Sequence, residues 1–440
     1  MKEKFKQLKQ FNWRLFAALC ALALIPAIYQ TIKTLIISTS VGGGAFDVIG
    51  QMEWFDLINE TLQAFLIVPL YSILNRLLKY DGQNFAKHIF KTGLIAFIIY
   101  AVFSVGVLIY GSVLVQAMNP EEIDLVTTNH YLQLETIAFM VGILVSFANV
   151  VFVVVGKDKN VYIFLAIRTV LSVISDFALI PNMGVYGVAV SNIVVNCILA
   201  VVSFIMLYLQ KLIKPCWYHK SDLLILKEWG KVGIFSGLQQ FIDNLIYAVM
   251  IGRMVNLVAE QGNYWIANNF IWGWLLIPIS ALSEIIRRDC KDGYFELKQT
   301  NYYIIAASTV LLWVITIPVW TPFFKYAQGL SNADEIFLIV IKLAPFYIAY
   351  AGCAIIDNIF TGLGKTGYNA VNSLIINLGY YGIFFVLYLT HAIAFTMDTI
   401  IIMFGLGMVV HFAISLLLEK VFYKRFESKK IVQGNKDGNE

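Results

Sequence analysis

The sequence predicts an all-α integral membrane protein: twelve transmembrane helices in two parallel six-helix repeats, a two-lobed, V-shaped arrangement. Three observations predict it. Hydrophobic residues make up 59% and charged residues 14% of 440 positions, with a mean hydropathy of +0.74; a soluble chain is about 45–50% apolar and about 25% charged. Runs long enough for the roughly 20 residues of a bilayer crossing recur along the whole chain. The two halves also match each other at a nearly constant offset. This composition excludes a water-soluble enzyme and the disordered, collagenous and disulfide-rich classes.

The apolar runs cover about 15–40, 54–76, 90–116, 132–155, 161–181, 185–209, 231–255, 264–286, 301–322, 334–361, 368–390 and 396–420. They are continuous rather than alternating, and open strands cannot span lipid, so each is read as a helix. The first follows a basic start, Lys2 to Lys9, but from Leu15 to Ser38 it is too long for a signal-peptide core and reads as an uncleaved helix. The 32 Lys and Arg fall in the N-terminal tail, in alternate loops and in the C-terminal tail, all but Lys33, Arg168, Arg253, Lys325 and Lys342. The opposite loops carry acids such as Glu121, Glu122, Asp124, Asp334 and Glu335. The positive-inside rule therefore predicts cytoplasmic N- and C-termini and an even number of spans in the cell (plasma) membrane.

Sliding the halves by about 208 residues superposes three stretches. Ala27-Ile28-Tyr29-Gln30 lies over Ser236-Gly237-Leu238-Gln239, with Thr34 over Asp243; Phe65 to Pro69 lies over Trp274 to Pro278, with Asn59 over Asn268; Asn149 to Phe152 lies over Asp357 to Phe360, with Gly156-Lys157 over Gly364-Lys365. Six spans per half make the repeats parallel, as in transporters that rock two lobes around a midplane site. The expected organisation is an N-terminal lobe (1–210), a cytoplasmic linker (211–230), a C-terminal lobe (231–422) and a cytoplasmic tail (423–440).

Ionisable residues inside a bilayer are costly and point to function. Asp243, deep in the seventh span, is a candidate for the coupling cation, Na⁺ or a proton, with Gln239 and Asn244 as oxygen ligands of the kind hard cations take. Asp357 in the tenth span is a candidate for the same role, against local pairing with Lys365 or Asn369, and so are the neutral Asn268 and Asn269 in the eighth, against interhelical hydrogen bonding. In the first half Lys33, Thr34, Arg168 and Asp176 are cavity candidates. Lys33 needs a partner, Glu60 or Asp176, and Arg168 and Asp176 share one helix face, so a structural ion pair is the plainer reading. Glu60 and Glu135 are placed near the outer interface. Trp272, with Trp265 and Trp274, suits either ligand stacking or an aromatic belt. The five cysteines are odd in number and lack a CxxC pair, and no two histidines have metal-ligand spacing, so neither disulfides nor a zinc site is expected. No GxSxG, Walker A or HExxH motif occurs.

Several segments resemble the multidrug and toxic compound extrusion (MATE) family, within the multidrug/oligosaccharidyl-lipid/polysaccharide flippase superfamily. They are Gly156-Lys157-Asp158-Lys159 through Ser175-Asp176 to Pro181, Met183 to Ala189, Gly362-Leu363-Gly364-Lys365-Thr366, Gly233 through Asp243, and Ile266 to Phe270 with Ile277-Pro278-Ile279-Ser280. The resemblance covers nearly the whole chain. It implies a twelve-helix antiporter driven by Na⁺ or H⁺ that exports amphipathic organic compounds, often cations. It is NorM-like in placing an acid, Asp243, in the seventh span. It departs from the family pattern in two places: Lys33-Thr34 stands where DinF-type members keep an Asp, and Cys353 where NorM-type members keep one, with Asp357 one turn away.

The expected function is thus ion-driven export of small organic molecules by alternating access, with no cofactor beyond the coupling ion, no nucleic-acid partner, lipid as surroundings, and a monomeric state. A lipid-linked oligosaccharide flippase is the alternative, favoured if Lys33 and Arg168 face the cavity. An integral-membrane enzyme is the third reading, and no cluster of His or acids at a membrane face supports it.

Overall fold

Every regular element among the described residues of the computed structural model is helical. The structure describes residues 11–119, 123–216, 223–258, 260–291 and 295–437. The basic Lys2–Lys9, the acidic Glu121 and Glu122, and positions 217–222 of the expected linker lie outside that set. Ten single helices are long and apolar enough to cross a membrane, and one bent pair makes an eleventh. The expected seventh span, 231–255, falls on α9 (Leu223–Tyr247), which runs through a π-helical turn, Ala248–Gly252, into α10 (Arg253–Leu257).

Contacts divide the chain into two units. The first gathers 28–266 with 325–331, and the second gathers 1–27, 267–324 and 332–440. The first unit holds most of α1 (Trp13–Ser40), then α2 (Gly44–Gln51), α3 (Glu53–Leu66), α4 (Val68–Tyr80), α5 (Phe85–Met118), α6 (Leu125–Val154), α7 (Asp158–Met183), α8 (Val185–Leu209), α9 and α10. Its return segment is tied to α1 by the Ser38 hydroxyl, which donates to the Gln328 carbonyl at 2.6 Å.

The faces of α5 show why these helices sit in lipid. Ala96, Tyr100, Ser104, Val107, Gly111 and Val115 are buried at helical spacing. The opposite stripe, Ile98, Val102, Val105, Ile109 and Val113, is exposed and wholly apolar. A water-facing helix would carry charges there. What is buried is the more polar stripe, and Tyr100 Oη donates to Asn59 Oδ1 on α3. Thr128 on α6 likewise bonds Gln51 on α2 at 3.0 Å. Small and polar side chains are the usual glue between helices in a bilayer. Outside the membrane, Asp124 caps α6 by accepting from the Thr127 backbone N–H and hydroxyl at 3.1 and 2.6 Å, bonds that hold its carboxyl below the usual range.

The second unit contains the last four residues of α11 (Gln261–Phe270), then a π-helical turn Ile271–Leu275, α12 (Ile277–Lys291), α13 (Phe295–Pro322), α14 (Ala333–Gly362), α15 (Gly367–Leu374), the π-helical Ile375–Tyr381, α16 (Gly382–Leu389) and α17 (Met397–Asp437). The second span breaks between α3 and α4, just before Pro69; the eighth breaks between Leu275 and α12, just before Pro278, with a bend of 52°. Proline lacks an N–H and clashes with the preceding turn, so carbonyls before it lose helical partners. In both units a tryptophan replaces the lost donor. Trp229 Nε1 donates to the Leu66 carbonyl and Trp313 Nε1 to the Leu275 carbonyl, each at 2.9 Å. Both indoles are buried. Trp229→Phe, which keeps the ring but removes the donor, is expected to cost about 1–3 kcal/mol through the orphaned carbonyl, read as a lowered unfolding midpoint in detergent.

The repeat is repeated hydrogen bond by hydrogen bond at the turns. Gly156 and Gly364 both take positive φ, 69° and 67°. The amides of Val155, Gly156 and Lys157 donate to the carbonyls of Val151, Val153 and Phe152; those of Leu363, Gly364 and Lys365 donate to Ile359, Thr361 and Phe360. Only glycine adopts that left-handed helix stop cheaply.

Candidate functional site

Five helices of the first unit converge charged and polar groups in its interior. From α1 come Tyr29 and Lys33, one turn apart on one face; from α3, Asp56; from α6, Tyr131 and Glu135, again one turn apart; from α7, Asp176; from α8, Asn192. Asp176 is fully buried. Its Oδ2 accepts from Tyr29 Oη at 2.9 Å, while its buried Oδ1 has no hydrogen-bond partner. Glu135, 6% exposed, accepts at Oε1 from Asn192 Nδ2 at 2.8 Å and from Tyr131 Oη at 3.1 Å. The Lys33 ammonium stands in electrostatic reach of Asp176, Glu135 and Asp56. Asp56 is the accessible edge of the group.

The charge count decides what this cluster can do. Lys33 closes no ion pair within 4.0 Å among the described residues, and the acids whose fields reach it outnumber it. An unbalanced charge is expensive in a low-dielectric interior, so the cluster is neutral only with added protons or a bound cation. Its donor set is all oxygen, two tyrosine hydroxyls and carboxylate oxygens including the orphaned Asp176 Oδ1, which is the chemistry of a proton or a hard cation.

The other sequence candidates divide. Arg168 is exposed on α7 and forms no ion pair with Asp176 among the described residues. The structural pair allowed by their spacing is therefore replaced by the Tyr29–Asp176 bond. Thr34 is buried, its hydroxyl donating to the Gln30 carbonyl of its own helix at 2.9 Å. Glu135 is not at an outer interface but inside the cluster. Asp243 is half-buried on α9. Its neighbour Asn244 is buried and turned to α3, donating to the Leu57 carbonyl at 2.9 Å and the Thr61 hydroxyl at 3.2 Å, while its Oδ1 accepts from Gln240 at 2.8 Å. Asn244 thus couples two helices, and the Gln239 side chain lies outside the described set. Beside Asn244 an apolar cavity of about 390 Å³ is lined by Trp54, Leu57, Phe65, Phe241 and Leu245 among others.

In the second unit Asn268 and Asn269 are half-buried on α11, and among the described residues Asn269 Nδ2 has no hydrogen-bond partner. Trp272 packs edge-on against Tyr350 and Tyr347, ring centres 5.2 and 6.2 Å away. The Asp357 carboxylate is held by Ser415, Cys353 and His411, and of the two expected local partners Asn369 donates to its backbone carbonyl at 2.9 Å. Asp56, His411 and Ser415 were not singled out from the sequence. Asp56 carried a signal, an acid one turn from Glu60 within an apolar run. The latter two did not, since nothing local connects them to Asp357.

No protein-family model matches the sequence, and no curated protein is similar to it. Solved structures are similar over most of the chain. An inward-facing multidrug resistance MATE family transporter of the MOP superfamily aligns with a TM-score of 0.71 at 14% identity, covering 91% of this chain and 95% of its own. The fold is that of the MATE transporters. The lipid II flippase MurJ, inward closed, shares it with a TM-score of 0.71 at 10% identity, covering 92% of this chain and 87% of its own. A MOP superfamily transporter from Pyrococcus furiosus, whose structure is described as having a binding pocket of reverse polarity, aligns at 0.65 and 14% identity over 94% and 96%. The fold is thus shared at 10–14% sequence identity.

Proposed function

We propose that this chain is a secondary active transporter that exports amphipathic or cationic organic compounds in exchange for Na⁺ or H⁺ by alternating access. The observation that carries the reading is the group of three carboxylates, Asp56, Glu135 and Asp176, sharing one ammonium, Lys33. Such a group must draw a proton or cation inward, and an ion bound more tightly in one access state than the other biases their equilibrium. The apolar cavity beside Asn244 suits the hydrophobic part of an amphipathic solute. Asp243 and Asp357 stand as further cation positions, Na⁺ at Asp243 included. The same reading has both termini in the cytoplasm, from the distribution of Lys and Arg, and the chain as a monomer of the plasma membrane.

A lipid-linked oligosaccharide flippase is the second reading, supported by the fold shared with MurJ. The charge around Lys33 weighs against it. A pyrophosphate needs cationic partners, and here the lone ammonium is outnumbered by acids.

The test is transport by the purified protein in liposomes. An organic cation is expected to move only under an imposed inward Na⁺ or H⁺ gradient, and more slowly in Asp243→Asn. Gradient-independent movement, or movement of a lipid pyrophosphate alone, would reverse the assignment.

A further inference from the structure

A second cluster, in the other unit, is chemically unlike the first. Cys353 and Asp357 lie one turn apart on α14, and His411 and Ser415 one turn apart on α17. Cys353 Sγ is 3.1 Å from Asp357 Oδ2, and His411 Nε2 is 3.3 Å from the same oxygen. One ligand atom from each of the three residues lies within 4.8 Å of the other two. A tetrahedral Zn²⁺ with bonds of about 2.3 Å to sulfur and about 2.0 Å to nitrogen or oxygen separates its ligand atoms by about 3.3–3.5 Å. Two edges of that tetrahedron are already present to within a few tenths of an ångström.

We infer that Cys353, Asp357 and His411 form a binding site for a borderline-soft divalent transition metal of the Zn²⁺ class, bridging α14 and α17. Three features beyond proximity support it. The donors are sulfur, imidazole nitrogen and carboxylate oxygen, a set suited to Zn²⁺ and Co²⁺ and not to Na⁺ or Mg²⁺. The charges close: a thiolate and a carboxylate neutralise the divalent ion, leaving no net charge in the membrane interior. Binding displaces the Cys353 thiol proton to solvent and forms the metal–sulfur bond. The ligands also have an outer layer of support. Ser415 Oγ donates to Asp357 Oδ1 at 3.0 Å, and Asn372 Nδ2 on α15 donates to Ser415 Oγ at 2.7 Å and to the His411 carbonyl at 3.4 Å. Such partners fix ligand orientation. Cys353 is buried while His411 and Asp357 are part-exposed, so a fourth ligand, water or a solute group, has access. The inference does not depend on the transport reading.

Co²⁺ is the probe, added to the full-length protein in lipid nanodiscs after removal of any affinity tag. The expected result is a near-ultraviolet thiolate-to-cobalt charge-transfer band and visible bands of tetrahedral intensity, saturating at one Co²⁺ per chain and bleached by Zn²⁺. Cys353→Ser should lose the charge-transfer band, and His411→Ala and Asp357→Asn should weaken binding at least about 10-fold. Ser415→Ala should weaken it about 10-fold, and Cys290→Ser should leave it unchanged. The wild-type spectrum needs no variant to fold, so absence of the charge-transfer band at millimolar Co²⁺ overturns the site. So does a band that persists unchanged in monodisperse Cys353→Ser, which would assign it to another thiol.

Discussion

Asp176→Asn slows ion-coupled efflux by about 5- to 150-fold while leaving the protein folded. The substitution is nearly isosteric, and Tyr29 Oη can donate to the amide oxygen as it does to Oδ2 at 2.9 Å. What disappears is the charge that draws an ion to a fully buried position, together with the group able to take up a proton there. A coupling free energy of about 1–3 kcal/mol corresponds to about 5- to 150-fold in ion-dependent affinity. The gradient-driven rate is therefore expected to fall by about that factor, toward the rate without a gradient. The check is initial efflux in liposomes under matched Na⁺ or pH gradients, beside the elution profile of each variant. An Asp176→Asn protein that keeps its full coupled rate would remove the cluster from the mechanism and leave Asp243 or Asp357 to carry it.

Lys33→Met should be the most destabilising single substitution in the first unit. It leaves Asp56, Glu135 and Asp176 facing one another with no fixed counter-charge. Lys33 closes no ion pair within 4.0 Å among the described residues and is half-buried, so the cost falls below the about 3–5 kcal/mol of breaking a closed buried pair, and comes from the uncompensated charges left behind. Methionine retains the length and apolar stem of lysine, so packing is little changed. The second site makes the explanation specific. Lys33→Met combined with Asp176→Asn removes a negative charge along with the positive one and should recover part of the loss, a coupling read by a double-mutant cycle of unfolding midpoints. Additive effects would show that Lys33 stabilises α1 by packing alone. Added Na⁺ should rescue the single variant if the vacated position takes a cation, and choline at the same ionic strength should not.

Much of this arrangement can be read along the chain. Glycine at 156 and 364 with lysine after each marked the two turns that carry identical hydrogen bonds, because a left-handed helix stop needs the one residue without a Cβ. The prolines at 69 and 278 marked the two broken spans, because a residue without an N–H interrupts a helix wherever it stands. The rescue of those breaks was not legible: Trp229 and Trp313 reach the freed carbonyls from 163 and 38 residues away. Asp176 was recognisable as a costly intramembrane acid, but its partner was not. Arg168, two turns away on the same helix, was the nearer choice in sequence, and Tyr29 on another helix is the one in contact.

The sequence by itself determined the helical, membrane-spanning nature of the chain, the charge bias of the loops and the doubling of its turns. Each of these is local: a run either carries enough apolar area to enter lipid or it does not, and a turn residue either permits the backbone angle or it does not. Only the tertiary structure decided which acids meet. On helices whose lipid-facing side is apolar and whose inner side is only somewhat more polar, as on α5, the pattern separates inside from outside too weakly to say which side chains meet. The rotation of each helix about its axis is then set by packing against its neighbours, and that rotation brings Lys33 to Glu135 and Asp176 in one unit, and Cys353 and Asp357 to His411 in the other.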